Sequence, residues 1–298
     1  MDSAGGAELP PLDSTWLRAH PLPSPHPHAD KNSRGRVFAI GGCTRVPGGL
    51  ILTAEAALRA GAGKVQVATA RSLALPLGLA MPEVAVFPMD EDDRGEIAGL
   101  RDGIEADIAR SDAVIAGPAM SCGHAAGAIV DRLLGSECAS TTLVLDAAAL
   151  MELPKRAAAL AARWEPAILT PHVGEMAAML ECPAAEIEAD RQAAVRRAAQ
   201  RFGAVVVLKG ATSLVADRGG TLLAYAGGGV GLATGGSGDV LAGIAAGIAA
   251  RGAPPLEAAS WAVWLHGEAG RRCAEQIGPL GFLARELLAH VPGLMRAL

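Results

Sequence analysis

From residue 36 onward, short apolar runs alternate along the chain with longer stretches whose apolar positions recur at helical spacing. The runs fall at residues 37–40, 65–68, 84–87, 113–116, 143–145, 167–169 and 205–208. Unbroken apolar runs of this length are what a strand buried on both faces requires, so these segments are predicted to be parallel strands. Between them, residues 50–60, 97–108, 125–134 and 184–202 have helical periodicity. The alternation predicts an α/β fold, a three-layer α/β/α sandwich around a mostly parallel central sheet. Residues 212–216 and 222–225 flank Arg218-Gly219-Gly220 and predict a hairpin, and residues 240–250 begin the helices that run to the C-terminus. Trp261 and Trp264, spaced i, i+3, read as core. Residues 1–33 are rich in proline and histidine, with His20, His26 and His28 among six prolines, and read as an extended arm ahead of a single domain at 34–298. No internal repeat interrupts the pattern.

Composition narrows the function classes. At 298 residues, 51% hydrophobic, 19% charged and 3% aromatic, the chain can bury a large core of Ala, Val, Leu and Ile. A net charge of -5 without a Lys/Arg cluster or aromatic platform excludes a nucleic-acid surface, so any phosphate site must be positive only locally. Five cysteines (Cys43, Cys122, Cys138, Cys182 and Cys273) form an odd set without CxxC spacing, which reads as reduced, mostly buried thiols rather than a disulfide framework or zinc knuckle. No basic-then-apolar leader is visible and the apolar run 240–250 is too short to span a bilayer, so the expected location is the cytoplasm.

The most informative stretch is 228–243, Gly-Gly-Val-Gly-Leu-Ala-Thr-Gly-Gly-Ser-Gly-Asp-Val-Leu-Ala-Gly. Gly235, Gly236, Ser237 and Gly238 remove nearly all side-chain bulk ahead of a predicted helix, whose first amides can close around an anion. Asp239 at the end of that turn faces whatever the amides hold. An aspartate in a first helical turn is ordinarily a capping residue. Four small residues in a row, however, contribute little packing and suit close backbone approach of a ligand. Anion hole plus general base suits phosphoryl transfer to a hydroxyl. A Walker loop is excluded because Lys64 is followed by Val65, and a nucleophile elbow because Asp239 stands two residues after Ser237.

In such a sheet, ligands bind beyond the carboxyl ends of the strands. There the sequence places Gly41-Gly42 with Pro47-Gly48-Gly49, Gly117-Pro118, Asp146, the segment Thr170 to Glu175, and Lys209-Gly210. Lys209 directly after four apolar residues needs a counter-charge such as a phosphate, unless it snorkels to the surface. His172 and Glu175 fit either function or helix capping, and Asp146 fits either magnesium through water or a cap.

Taken in order, Pro47-Gly48-Gly49 with AEAALRAGAG (54–63), Gly117-Pro118, LTPHVGE (169–175), LKGATS (208–213) and ATGGSGDVLAG (233–243) resemble the ADP/ATP-dependent NAD(P)H-hydrate dehydratases of the ribokinase-like superfamily. The resemblance runs from about residue 31 to the C-terminus, without the epimerase domain that often precedes it. It implies repair of NADHX and NADPHX, hydrated at C6 of the nicotinamide ring. The S epimer is dehydrated at the expense of ADP or ATP, with the standalone bacterial type favouring ADP. Asp239 is implied as the base and Gly235, Gly236, Ser237 and Gly238 as the anion hole. Gly49, Gly117, His172 and Asp239 are implied as substrate contacts, and Lys209, Gly210, Ala211, Thr212, Ser213 and Gly238 as the nucleotide site. Mg2+, a homotetramer and a separate epimerase acting in the same pathway follow from the resemblance too.

Four positions depart from the family pattern. Gly49-Leu50 stands where two alanines are common, Ala119 replaces the second glycine of a Gly-Pro-Gly turn, Ala148 replaces a glycine after Asp146, and Val230 stands where an asparagine is expected. The competing readings are a small-molecule hydroxyl kinase of the same superfamily, acting on a hydroxymethylpyrimidine or hydroxyethylthiazole, and a non-catalytic nucleotide-binding scaffold.

Overall fold

All seven apolar runs form strands: β1 (Arg36–Ile40), β2 (Lys64–Ala70), β3 (Val84–Met89), β4 (Ala113–Ala116), β5 (Thr142–Leu145), β6 (Ile168–Leu169) and β7 (Val205–Leu208). The hairpin adds β8 (Ser213–Ala216) and β9 (Leu222–Tyr225). The computed structural model describes residues 9–24, 28, 30–135 and 140–298; His26, Cys138 and the first eight residues of the arm lie outside them. The sheet order is β3-β2-β1-β4-β5-β6-β7-β8-β9, parallel as far as β7 and antiparallel thereafter. Along β4, β5 and β7 every residue is buried, which is why those runs carry no polar alternation.

The register aligns the strand ends. Ile40 pairs with Ala116, Ala116 with Leu145, and Leu145 with Leu169. The ladder continues one residue further, the amides of Gly117, Asp146 and Thr170 donating to the carbonyls of Ile40, Ala116 and Leu145. The turn glycines, Asp146 and Thr170 therefore stand side by side on one rim.

The helices are α1 (Ser14–Ala19), α2 (Gly49–Arg59), α3 (Arg71–Ala80), α4 (Glu105–Ala109), α5 (His124–Leu133), α6 (Ala148–Met151) and α7 (Ala157–Ala161). They continue with α8 (Val173–Leu180), α9 (Ala184–Ala189), α10 (Arg191–Phe202), α11 (Ser237–Ala250), α12 (Pro255–Gln276), α13 (Ala284–Leu287) and α14 (Val291–Arg296).

Several expectations need correction. The segment 97–108 is helical only from Glu105, because Ile97 is held in a bridge to Glu91. The helix expected over 184–202 breaks at Asp190, whose backbone is extended and whose carboxylate accepts the Ala193 amide at 2.9 Å to start α10. The arm is not extended throughout. Asp13 caps α1, Leu12 and Leu17 are buried, and the Trp261 indole donates to the His20 carbonyl at 2.8 Å. The strap before α1 pairs with β9, the Leu12 amide donating to Ala224 and the Ala224 amide to Pro10. The cysteines divide: Cys43 and Cys273 are buried, Cys182 is half-buried and Cys122 is exposed, all four free. Trp261 is core, while Trp264 is partly buried against it.

Helix α11 is apolar all round because it is enclosed by α2, α12 and the sheet. Its approach to α2 rests on two glycines. A Cβ on Gly243 would stand 2.3 Å from the Thr53 carbonyl oxygen, and one on Gly247 2.5 Å from that of Ala57. Both obstacles are backbone, so Gly243→Ala must push the helices apart. We expect it to destabilise the protein by about 1–3 kcal/mol, read as a lower melting temperature, and to lower kcat because α11 carries the candidate base.

Candidate active site

Helix α11 starts at the Gly-rich turn. Gly236, its N-cap, has φ +87 and offers no side chain to the helix end. The amides of Gly235, Gly236, Gly238 and Asp239 have no acceptor among the described residues, whereas that of Ser237 donates to the Thr234 carbonyl at 3.3 Å. Free amides at the positive end of a fourteen-residue helix make an anion site. Gly238 faces the chemistry closely, since a Cβ there would lie 3.5 Å from Lys209 Nζ and 4.0 Å from Asp146 Oδ2.

Asp239 is largely buried in the first turn of α11. Burial pushes its carboxyl up to about 6, the neighbouring Asp146 carboxylate pushes the same way, and the Lys209 ammonium opposes both. A carboxylate held near 6 is a competent base at neutral pH, which a solvated capping aspartate is not.

Asp146, only 3% exposed at the end of β5, neither caps α6 nor stands free. Its Oδ1 accepts from Thr170 Oγ1 at 2.7 Å and from Lys209 Nζ at 3.0 Å. Lys209 also lies 3.6 Å from Glu175 Oε2. Burial disfavours its ammonium, but the two carboxylates outweigh burial and raise its pKa. The Lys209 side chain is 21% exposed, so it is a tethered internal cation and not a snorkelling one.

His172 is the N-cap of α8. Its Nδ1 accepts from the Gly174 amide at 3.0 Å and the Glu175 amide at 3.3 Å, while Glu175 Oε2 accepts the His172 amide at 2.8 Å, completing a capping box. The bonds to Nδ1 place the ring proton on Nε2. The capping interpretation of both residues is thus realised; His172 Nε2 lies 3.5 Å from Glu175 Oε1, and His172 and Lys209 line one volume.

That volume is a cavity of about 700 Å³ between the β7–β8 loop, the Gly-rich segment and α12. Lys209, Gly210, Ala211, Ser213 and Gly238 line it, with His172 at its edge; Thr212 does not. The loop is held from behind by Arg191, whose Nη2 donates to the carbonyls of Lys209 and Thr212, and a Cβ on Gly210 would meet that nitrogen at 2.4 Å. Tyr225, Leu232, Leu241 and Val263 supply apolar lining. A cation and free amides together with apolar lining is the combination a nucleotide needs. Val230, at 66% exposure, sits at the mouth.

Gly49, Gly117 and Asp239 do not line the cavity. Gly49 opens α2 against Asp239, and a Cβ there would stand 3.1 Å from Oδ2. Gly117, with φ +110, is buried against the Asp146 carbonyl, which a Cβ would meet at 1.9 Å. The rim beside it is strained: Ala119 and Ala147 have φ +53 and +47, a conformation that costs an alanine about 1–2 kcal/mol. The backbone freedom that a glycine after Asp146 would supply is taken up at Ala147, one residue before Ala148.

Two site residues carry no signal in the sequence. Tyr225 packs on Gly267, where a Cβ would be 2.1 Å from its ring, and donates to Glu268 Oε1 at 3.1 Å. His266, on α12, places Nε2 2.9 Å from Ser237 Oγ in the anion turn. Burial holds its imidazole down to about 4, so it is neutral at pH 7. We expect His266→Ala to leave the Ser237 hydroxyl without its partner and to raise the nucleotide KM by about tenfold, the equivalent of roughly 1–2 kcal/mol, with titration calorimetry giving the matching loss of affinity.

The NAD(P)H-hydrate dehydratase family profile matches residues 37–292. The chain is 45% identical over 290 residues to the ADP-dependent (S)-NAD(P)H-hydrate dehydratase of Xanthomonas campestris pv. campestris, covering 97% of each chain. It is 36% identical to the bifunctional NAD(P)H-hydrate repair enzyme Nnr of Moorella thermoacetica, covering 96% of this chain and 54% of that one, and so spans about half the length of that bifunctional relative. Among solved structures it is similar to the ADP/ATP-dependent NAD(P)H-hydrate dehydratase of Bacillus subtilis co-crystallised with ATP and Mg2+, with a TM-score of 0.80 and 24% identity over 98% of this chain and 99% of the other.

Proposed function

Because the chain belongs to the NAD(P)H-hydrate dehydratase family, we propose that it dehydrates the S epimer of hydrated NADH and NADPH at the expense of ADP. The observation that carries this reading is the buried Asp239, held near 6 beside a turn of free amides that opens on a nucleotide-sized cavity. Sequence identity over nearly the whole chain favours the dehydratase over a hydroxyl kinase sharing the same base and anion hole.

The chemistry follows from the leaving group. Hydroxide departs poorly from C6 at neutral pH, whereas phosphate departs readily. ADP occupies the cavity with its phosphates toward Lys209 and the amides of Gly235, Gly236 and Gly238, and its base end toward Tyr225 and Val263. The hydrated nicotinamide lies on the opposite side, against Gly49. Asp239 takes the C6 hydroxyl proton as the oxygen attacks the terminal phosphorus of ADP. The amides stabilise the charge on the transferring group and AMP leaves. The ring-nitrogen electron pair then expels phosphate from C6 to leave an iminium, and loss of a proton from C5 forms the C5–C6 double bond of the reduced nicotinamide. Gly210, Ala211 and Ser213 orient the nucleotide, while His172 and Gly117 join Gly49 as contacts to the hydrated substrate, Gly117 from a buried position on the rim.

The donor set would suit Mg2+ held beside the nucleotide's phosphates rather than caged by protein ligands alone. No group of three or more metal-ligating side chains occurs among the described residues. Asp146 and Glu175 would supply the one or two carboxylates that this hydrated cation ordinarily takes beside phosphates. When bound it neutralises phosphate charge. A homotetramer, a cytoplasmic location and a separate epimerase that supplies the S epimer belong to the same proposal. No described helix is long and apolar enough to cross a membrane.

The test is incubation of the purified protein with the S epimer of hydrated NADPH, Mg2+ and either ADP or ATP, following the reduced-nicotinamide absorbance. Recovery that depends on the nucleotide establishes the reaction and names the donor. Absence of recovery with both donors, in a protein that binds them, overturns it in favour of a kinase.

A further inference from the structure

The α2 N-terminus and the loop after β4 approach Asp239 from two sides. A Cβ built on Gly49 would stand 2.7 Å from the Ala119 methyl and 3.1 Å from Asp239 Oδ2. There is thus room for one methyl group in this corner, and Ala119 supplies it. It does so from a left-handed backbone, φ +53, that an alanine adopts only when its surroundings hold it there. The two residues are seventy positions apart and meet because β1 and β4 are neighbours in the sheet.

We propose that Gly49 and Ala119 are a positioning pair: the Ala119 methyl closes one side of the Asp239 carboxylate, the missing side chain of Gly49 leaves Oδ2 its place, and together they fix the base against the acceptor. The pair acts through Asp239 and touches no reacting atom itself. The proposal rests on the reading of Asp239 as the base. It requires coupling of a definite sign, because the tighter of the two contacts that a methyl at residue 49 would make, 2.7 Å against 3.1 Å, is with the methyl at residue 119.

The decisive experiment is a cycle of Gly49→Ala, Ala119→Gly and the double variant in the full chain. Three quantities are read: melting temperature, the Asp239 titration by carboxyl carbon NMR, and kcat with hydrated NADPH and ADP. Gly49→Ala is expected to lower the melting temperature, to move the Asp239 midpoint upward as the added methyl excludes solvent from Oδ2, and to lower kcat by about 100-fold. Ala119→Gly removes the wall and lowers kcat severalfold. The double variant is expected to regain at least about tenfold of the loss caused by Gly49→Ala, with titration midpoint and melting temperature returning toward wild type. A general loss of packing would make the double variant worse than either single one. A double variant no better than Gly49→Ala in melting and titration overturns the pair. A wild-type protein with no turnover of hydrated NADPH overturns the dehydratase reading instead, and melting and titration still decide the pair.

Discussion

Asp239→Asn is expected to lower kcat by about 10²–10⁴-fold while ADP binding persists and the protein becomes more stable. The two effects share one cause. A carboxyl raised to about 6 in the folded protein is one whose charge folding disfavours, at a cost on the order of 3 kcal/mol at neutral pH. Between the unfolded value near 4 and the folded value near 6, the folded state binds more protons. Stability contributed by Asp239 therefore declines as pH rises through this window and stays low above it. Asparagine removes that penalty, so the variant should melt a few degrees higher at pH 7. His266 runs the opposite way. Its depressed value near 4 means that the unfolded chain takes up a proton first, and stability is lost as pH falls from about 6.5 to about 4. The two slopes largely cancel in wild type, so Asp239→Asn should also make acid destabilisation steeper. Differential scanning calorimetry across this pH range, beside kcat measurements, checks both parts. A variant that melts lower than wild type at pH 7 removes the interpretation of Asp239 as a strained, buried base.

The features of the site legible in the sequence were those whose signal is local. Gly235 to Asp239 is one turn, and its anion-binding geometry follows from five consecutive residues. Each apolar run identified a strand because burial on both faces leaves no polar position to blur it. Helix α3 went unrecognised because Pro76 sits inside it and Leu75 and Leu79 face outward at 71% and 75% exposure, so no single apolar stripe marks it. Helix α8 is only eight residues long, and LTPHVGE leaves capping and chemistry equally open for His172 and Glu175 until the capping box itself is seen. His266 and Tyr225 join the site only through the packing of α12 against α11 and β8–β9. Their neighbours in sequence are ordinary helix and strand residues. The same holds for Ala119. Its departure from a Gly-Pro-Gly turn was legible, but the contact it makes with the Gly49 position depends on sheet order.

Lys209→Met carries the other large effect, and it tests the electrostatics of the whole site. Removing the ammonium leaves Asp146, 3% exposed, with only the Thr170 hydroxyl and an uncompensated buried charge, which should destabilise the protein by about 3–5 kcal/mol. It also deletes the ammonium that lines the cavity, and the ADP KM should rise by about 10–100-fold. Neither result alone separates a role in binding from general damage; the pH profile does. Lys209 holds the Asp239 carboxyl down and Asp146 pushes it up. In Lys209→Met the acid limb of kcat/KM, set by ionisation of Asp239, should therefore move above its position near 6. In Asp146→Asn it should move below. Both variants lose a member of the same buried pair and both should melt lower than wild type, so partial unfolding would shift their limbs in the same direction. Opposite shifts arise only if Asp146 and Lys209 act on Asp239 through their charges, with the base lying between the anion turn and the pair that compensates it.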